Sequence, residues 1–124
     1  MMSMSNWHVG WCMIFAAFVT GGIIGIFFRG EHFLGGYTSF RRRIIRLGHI
    51  ALAALGMINV LFAISVPNTA PHARAASIGF IVGGLSMPAV CFLTGWKEQF
   101  RYLFVVPVVA LVMSVAYTLQ GGGP

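Results

Sequence analysis

The sequence predicts an all-α integral membrane protein, a four-transmembrane-helix bundle with both termini on the outer (periplasmic) side. Three observations carry that prediction. The 124 residues are 58% hydrophobic and only 8% charged; the apolar residues gather in four long stretches; and seven of the eight Lys and Arg flank two of the three connecting loops. Soluble domains carry roughly 25% charged residues, so a soluble fold would have too little polar surface to cover this chain.

The stretches run at about 7–28, 44–66, 75–96 and 102–119. With a rise of ~1.5 Å per residue, ~20 residues cross a ~30 Å hydrocarbon core. The first stretch clears that length. It has no basic segment before it, exceeds the apolar core of a secretory signal and is followed by positive charge, so it is expected to stay in the mature protein. Its Gly21, Gly22 and Gly25 form a helix contact face, because small residues allow close backbone approach in lipid.

The second stretch becomes cleanly apolar only at Ile50, after Arg46 and His49, so Arg46 is expected to snorkel to the interface or find a partner. It offers Gly48, Ala51, Ala53, Ala54 and Gly56 for packing. Asn59, the one amide inside the predicted spans, is expected to cross-link helices through a hydrogen bond worth about 1 kcal/mol. In the third, Gly79 and Gly83 form a small-xxx-small pair. The fourth is shorter, with Arg101 and Tyr102 placed to sit in the headgroup layer. Pro88 and Pro107 each remove a backbone donor and should kink their helices, with Ser86 or Thr94 donating to the freed carbonyls. No segment alternates with period two, which excludes a barrel, and the short loops leave one domain over residues 1–124.

Charge sets the orientation. Arg29, Arg41, Arg42, Arg43 and Arg46 flank the first loop, Lys97 and Arg101 the third, and only Arg74 lies by the second. The positive-inside rule then puts the first and third loops in the cytoplasm of a multi-pass protein of the bacterial inner membrane. Basic charge arranged this way is a topology signal and not a nucleic-acid footprint. Cys12 and Cys91 fall in opposite leaflets, beyond the ~7 Å Cα separation a disulfide tolerates, and read as small core residues.

Depth also sorts the histidines. His8 and His72 belong to the outer side, and His32 and His49 to the inner side, about 25 Å away by helix rise. On the second helix Arg42, Arg46, His49, Ala53 and Gly56 recur at i, i+4, i+7, i+11 and i+14, one continuous stripe. Arginines at the interface, an imidazole a turn deeper and small residues beyond suit the edge of a b-type haem, with Arg42 and Arg46 on propionates and His49 on iron. The same stripe suits an anionic lipid headgroup or a quinone. No second His or Met stands level with His49, so a bis-His haem needs a second chain. His8, Cys12 and His72 offer a weaker outer trio for a soft metal, but histidine beside Trp7 and Trp11 reads first as anchoring in an interfacial aromatic belt, and no metal site is expected.

No carboxylate lies within the spans, Glu31 and Glu98 being in inner loops, so an acid-driven exporter or pump has no acid to use. No catalytic triad, Walker loop or acid pair can be assembled. The first loop mixes Gly35 and Gly36 with Phe33, Tyr37 and Phe40. It is expected to lay aromatics at the interface and to hold anionic lipid through its arginines.

The layout resembles small bacterial membrane proteins of the copper-resistance D and HemJ-type protoporphyrinogen oxidase group. The likeness lies in His8 in the first helix, the Arg41 to Arg43 cluster before the second, and the Phe100-Arg101-Tyr102 turn leading to Pro107. The enzyme of that group also relies on a lysine in a later helix, and residues 75–96 contain none. The resemblance thus implies architecture and not activity.

These residues point away from an enzyme and toward a non-catalytic accessory or scaffold subunit of a larger membrane assembly, a respiratory one among the candidates. Its expected contacts are membrane lipids, anionic headgroups at the inner face, and other subunits or a second copy. The alternative is a b-type haem-binding redox protein using His49, Arg42 and Arg46. A second alternative is a small carrier or channel running past Asn59, Ser86 and Ser114.

Overall fold

A computed structural model describes residues 4–36 and 38–121, which are helical and contain no strand. The order is α1 (Met4–Phe27), a short 3-10 turn (Phe33–Gly35), α2 (Phe40–Ser65), α3 (Ala73–Trp96), a 3-10 segment (Glu98–Phe104) and α4 (Val105–Gln120). Four helices are long and apolar enough to cross a membrane, the fourth when the 3-10 segment is counted with α4. Large apolar side chains line their outer faces, Phe15, Phe18 and Leu119 being 70%, 77% and 76% exposed. Exposure on that scale needs lipid or a protein partner against it.

Local chemistry moves several boundaries away from the apolar stretches. α2 starts at Phe40, not 44, because Ser39 is its N-cap and accepts a hydrogen bond from the Arg42 backbone N–H. A serine in this position satisfies one of the otherwise unpaired first-turn donors. Arg41 to Arg43 are therefore helical. α1 already includes residue 6, so Asn6 lies inside a span. Pro107 falls at the third residue of α4, where no intrahelical acceptor awaits its missing N–H. The expected mid-helix kink is thus replaced by a 3-10 lead-in ending at a proline-tolerant first turn. Pro88 does lie within α3 and is buried. Neither donor expected for the freed carbonyl meets it: Pro88 leaves Gly84 O without its donor, whereas Ser86 Oγ reaches Gly83 O at 3.4 Å and Thr94 Oγ1 is buried and bonds to nothing described.

The helices pack in chain order, α1 on α2, α2 on α3 and α3 on α4, with a smaller contact between α1 and α3. α2 and α3 form the centre, and α1 and α4 the flanks. Glycine sets the spacing. A Cβ on Gly10 of α1 would stand 2.6 Å from the Gly56 carbonyl of α2, and one on Gly48 would stand 2.9 Å from Cys91 Cβ of α3. Gly79 and Gly83 accept Ser114 and Leu111 of α4 in the same way. Within the expected α1 contact face only Gly21 meets a neighbour; Gly22 and Gly25 face open space. The apolar core near the α2 C-terminus is Phe62, Ala76 and Phe80, with the two phenyl centroids 5.2 Å apart.

Candidate functional site

The first loop folds around one cation. Leu34, Gly35 and Gly36 adopt φ of 53°, 87° and 96° in succession, a left-handed run that favours glycine at two of its three positions. That turn aims carbonyls back at α2, where the Arg42 side chain is only 1% exposed. Its Nε donates to Phe33 O at 2.6 Å, Nη1 to Phe28 O at 3.4 Å and Nη2 to Gly30 O. The guanidinium carbon lies 5.0 Å from the Phe28 ring centroid and 6.0 Å from that of Phe33. Ser39 Oγ ties the same turn by donating to Leu34 O at 2.7 Å. A planar cation with five donors suits several carbonyls at once. Arg42 is therefore a clamp joining the end of α1, the loop and α2, and its donors face the loop rather than an outside anion. Tyr37 lies outside the described residues.

His49 is held on α1. Thr20 Oγ1 lies 2.9 Å from Ala16 O and 3.1 Å from Ala17 O, and 3.1 Å from His49 Nδ1. The hydroxyl donates to those carbonyls, and its oxygen stands within hydrogen-bond reach of the ring nitrogen. The imidazole edge lies over Gly21, whose hypothetical Cβ would be 2.9 Å from Cε1 and 3.3 Å from Nε2. Arg46, one turn away, is half-buried. At the far end of the stripe, Gly56 is buried under Gly10, Met13 and Ile14 of α1. The periodicity thus identifies one face of α2, but α1 covers it, so the small residues seat a helix and are not an open slot for a flat ring.

The outer trio is not assembled. His8 is exposed, 2.7 Å from Met4 O and edge-on to Trp7. His72 precedes α3 as its cap in a left-handed conformation, with φ of 61°, and its ring lies tilted against that of Tyr117 of α4 at 5.4 Å. Among the described residues no three His, Cys, Asp or Glu side chains converge to hold a metal ion. Both cysteines are free thiols; Cys91 is a buried core residue as expected, but Cys12 lies on an exposed face of α1.

A second polar centre joins three helices; it bears out the cross-link expected of Asn59 and adds Asn6 and Ser77, which the sequence did not single out. Asn6 and Asn59 are both 0% exposed. Asn6 Nδ2 donates to Asn59 Oδ1 at 2.8 Å and to Ser77 O at 3.3 Å, while Ser77 Oγ donates to Asn6 Oδ1. Asn59 Nδ2 completes the set by donating to Leu55 O at 2.9 Å and Phe80 O at 3.1 Å. The signal for Asn6 was periodic: Asn6, Gly10, Met13 and Ala17 are the buried residues of α1, spaced i, i+4, i+7 and i+11. Beginning that helix one turn earlier would have put the asparagine on its inner face.

No family model matches this chain, and no curated protein or solved structure matches it either.

Proposed function

We propose that this chain is a non-catalytic accessory or scaffold protein of the bacterial inner membrane, and that it packs through its flanking helices against a larger membrane assembly. One observation carries the reading: apart from Thr94, whose hydroxyl has no partner among the described residues, the buried polar side chains bond to the chain's own helices and loop. Arg42 is bonded to loop carbonyls, and Asn6, Asn59 and Ser77 to one another and to α3. Thr20, Ser114 and Thr118 donate to carbonyls of their own helices. Buried polar groups arranged in this way rigidify a structure and fix its register.

The flanks supply the contact. α1 carries Gly22 and Gly25 with nothing against them, beside the prominent Phe18 and Ile26. A neighbouring membrane helix fits such a knob-and-notch surface by van der Waals packing. In native membranes, a photoreactive residue replacing Phe18 or Ile26 is expected to give one discrete heteromeric adduct. Substrate turnover or ion movement by the purified chain alone in liposomes overturns the reading.

A further inference from the structure

Where α2 and α4 end, the structure holds a cavity of about 400 Å³ lined by residues that include Ser65, Pro67, Pro71, Ala76, Tyr117 and Thr118. The volume falls within the ~300–1,000 Å³ range of small-ligand sites. Its walls are mostly apolar, and the hydroxyls of Ser65 and Thr118 have already given away their protons. Ser65 Oγ donates to Leu61 O at 2.6 Å and Thr118 Oγ1 to Ser114 O at 2.8 Å, so each offers lone pairs only.

The backbone adds the same sign of potential. α2 ends at Ser65 and α4 at Gln120, and last-turn carbonyls have no intrahelical partner and carry the negative end of the helix dipole. Val66 N–H caps Phe62 O, and Gly121 N–H reaches Tyr117 O and Leu119 O; among the described residues the other last-turn carbonyls have no backbone cap. One helix N-terminus, that of α3 at Ala73, opposes these two C-termini. The nearby cation Arg74 lines a separate depression with Asn68 and Ser77. Tyr117, ring against His72, supplies an aromatic surface of the kind that attracts cations.

We propose that this cavity is a binding site for a small organic ammonium ion. The apolar body rests against Pro67, Pro71 and Ala76, and the charged head meets the Ser65 and Thr118 oxygens and the two helix ends. This site does not depend on the scaffold reading.

The test uses three probes with one skeleton: 3-phenylpropylammonium, 3-phenylpropanol and 3-phenylpropanoate. Each is measured by equilibrium dialysis against the full chain in nanodiscs, corrected with empty nanodiscs. The ammonium is expected to bind saturably and about tenfold tighter than the carboxylate, a ratio equal to ~1.4 kcal/mol, with the alcohol between them. Thr118→Val should weaken the ammonium selectively, and Ala70→Trp, at another residue of the cavity wall, should abolish saturable binding by filling the space. If Ala70→Trp does not fold, Tyr117→Leu gives the second reading, with loss of preference for the ammonium expected. Equal binding of all three heads, absence of saturable binding, or binding unchanged in these folded variants overturns the proposal.

Discussion

Asn6 and Asn59 meet at 2.8 Å with no exposed surface, so either one left alone has a buried amide to satisfy. Interhelical hydrogen bonds in membranes average about 0.6 kcal/mol and reach about 1.7. The pair is expected near the upper figure, because each amide also bonds a carbonyl of α3. A double-mutant cycle of Asn6→Ala and Asn59→Ala, read by reversible unfolding in mixed micelles, should give a coupling of about 1–1.7 kcal/mol. Additive effects would show that the contact does not join the helices. Arg42 is a sharper case. Lysine keeps the charge but not the planar fork that reaches three carbonyls, and hydrogen bonds to charged groups are worth about 1.5–3 kcal/mol each. Arg42→Lys should therefore free the 28–36 segment, seen as faster amide exchange there with α3 and α4 unchanged. Protection equal to wild type would mean that the loop holds its shape without the guanidinium.

The two prolines show that a helix breaker means different things at different places in an element. Pro88 interrupts α3 from within, whereas Pro107 stands in the first turn of α4, where its missing donor has no role. Sequence spacing alone put both inside helices, because a 3-10 lead-in and an α-helical turn have the same apolar content. Glycine positions were more legible. The Gly79 and Gly83 pair, chosen for its spacing, seats α4 through Ser114 and Leu111. Gly83→Leu is expected to push α4 off α3 and to cost about 1–3 kcal/mol, the usual range for overpacking. Gly22→Leu, at a site with nothing within 4 Å, should leave the stability of the isolated chain nearly unchanged. Thermal unfolding in detergent compares the two; equal losses would contradict the packing order.

At the scale of the molecule, the four spans were legible because apolar length is a bulk property that local detail cannot hide. The functional site was much less so. Periodicity showed that Arg42, His49 and Gly56 share a face of α2, but not that α1 covers it, since covering depends on which helices pair. The same limit hid Asn6, which matters only once α1, α2 and α3 are brought together. Orientation comes from charge, with seven of the eight Lys and Arg at the end carrying the first and third loops. Glu31 and Glu98 barely offset them, and acidic residues carry little weight in this rule in any case. The 28–39 loop and the turn at Lys97 should accordingly face the cytoplasm, with Arg74 and the C-terminus outside. An alkaline phosphatase fusion after the last residue, or inserted at Asn68, should be active in intact cells, and one inserted at Gly30 should be inactive. Active phosphatase at Gly30 with inactive fusions at the other two sites would reverse the topology. It would also place the ammonium cavity beside α2 and α4 on the cytoplasmic face.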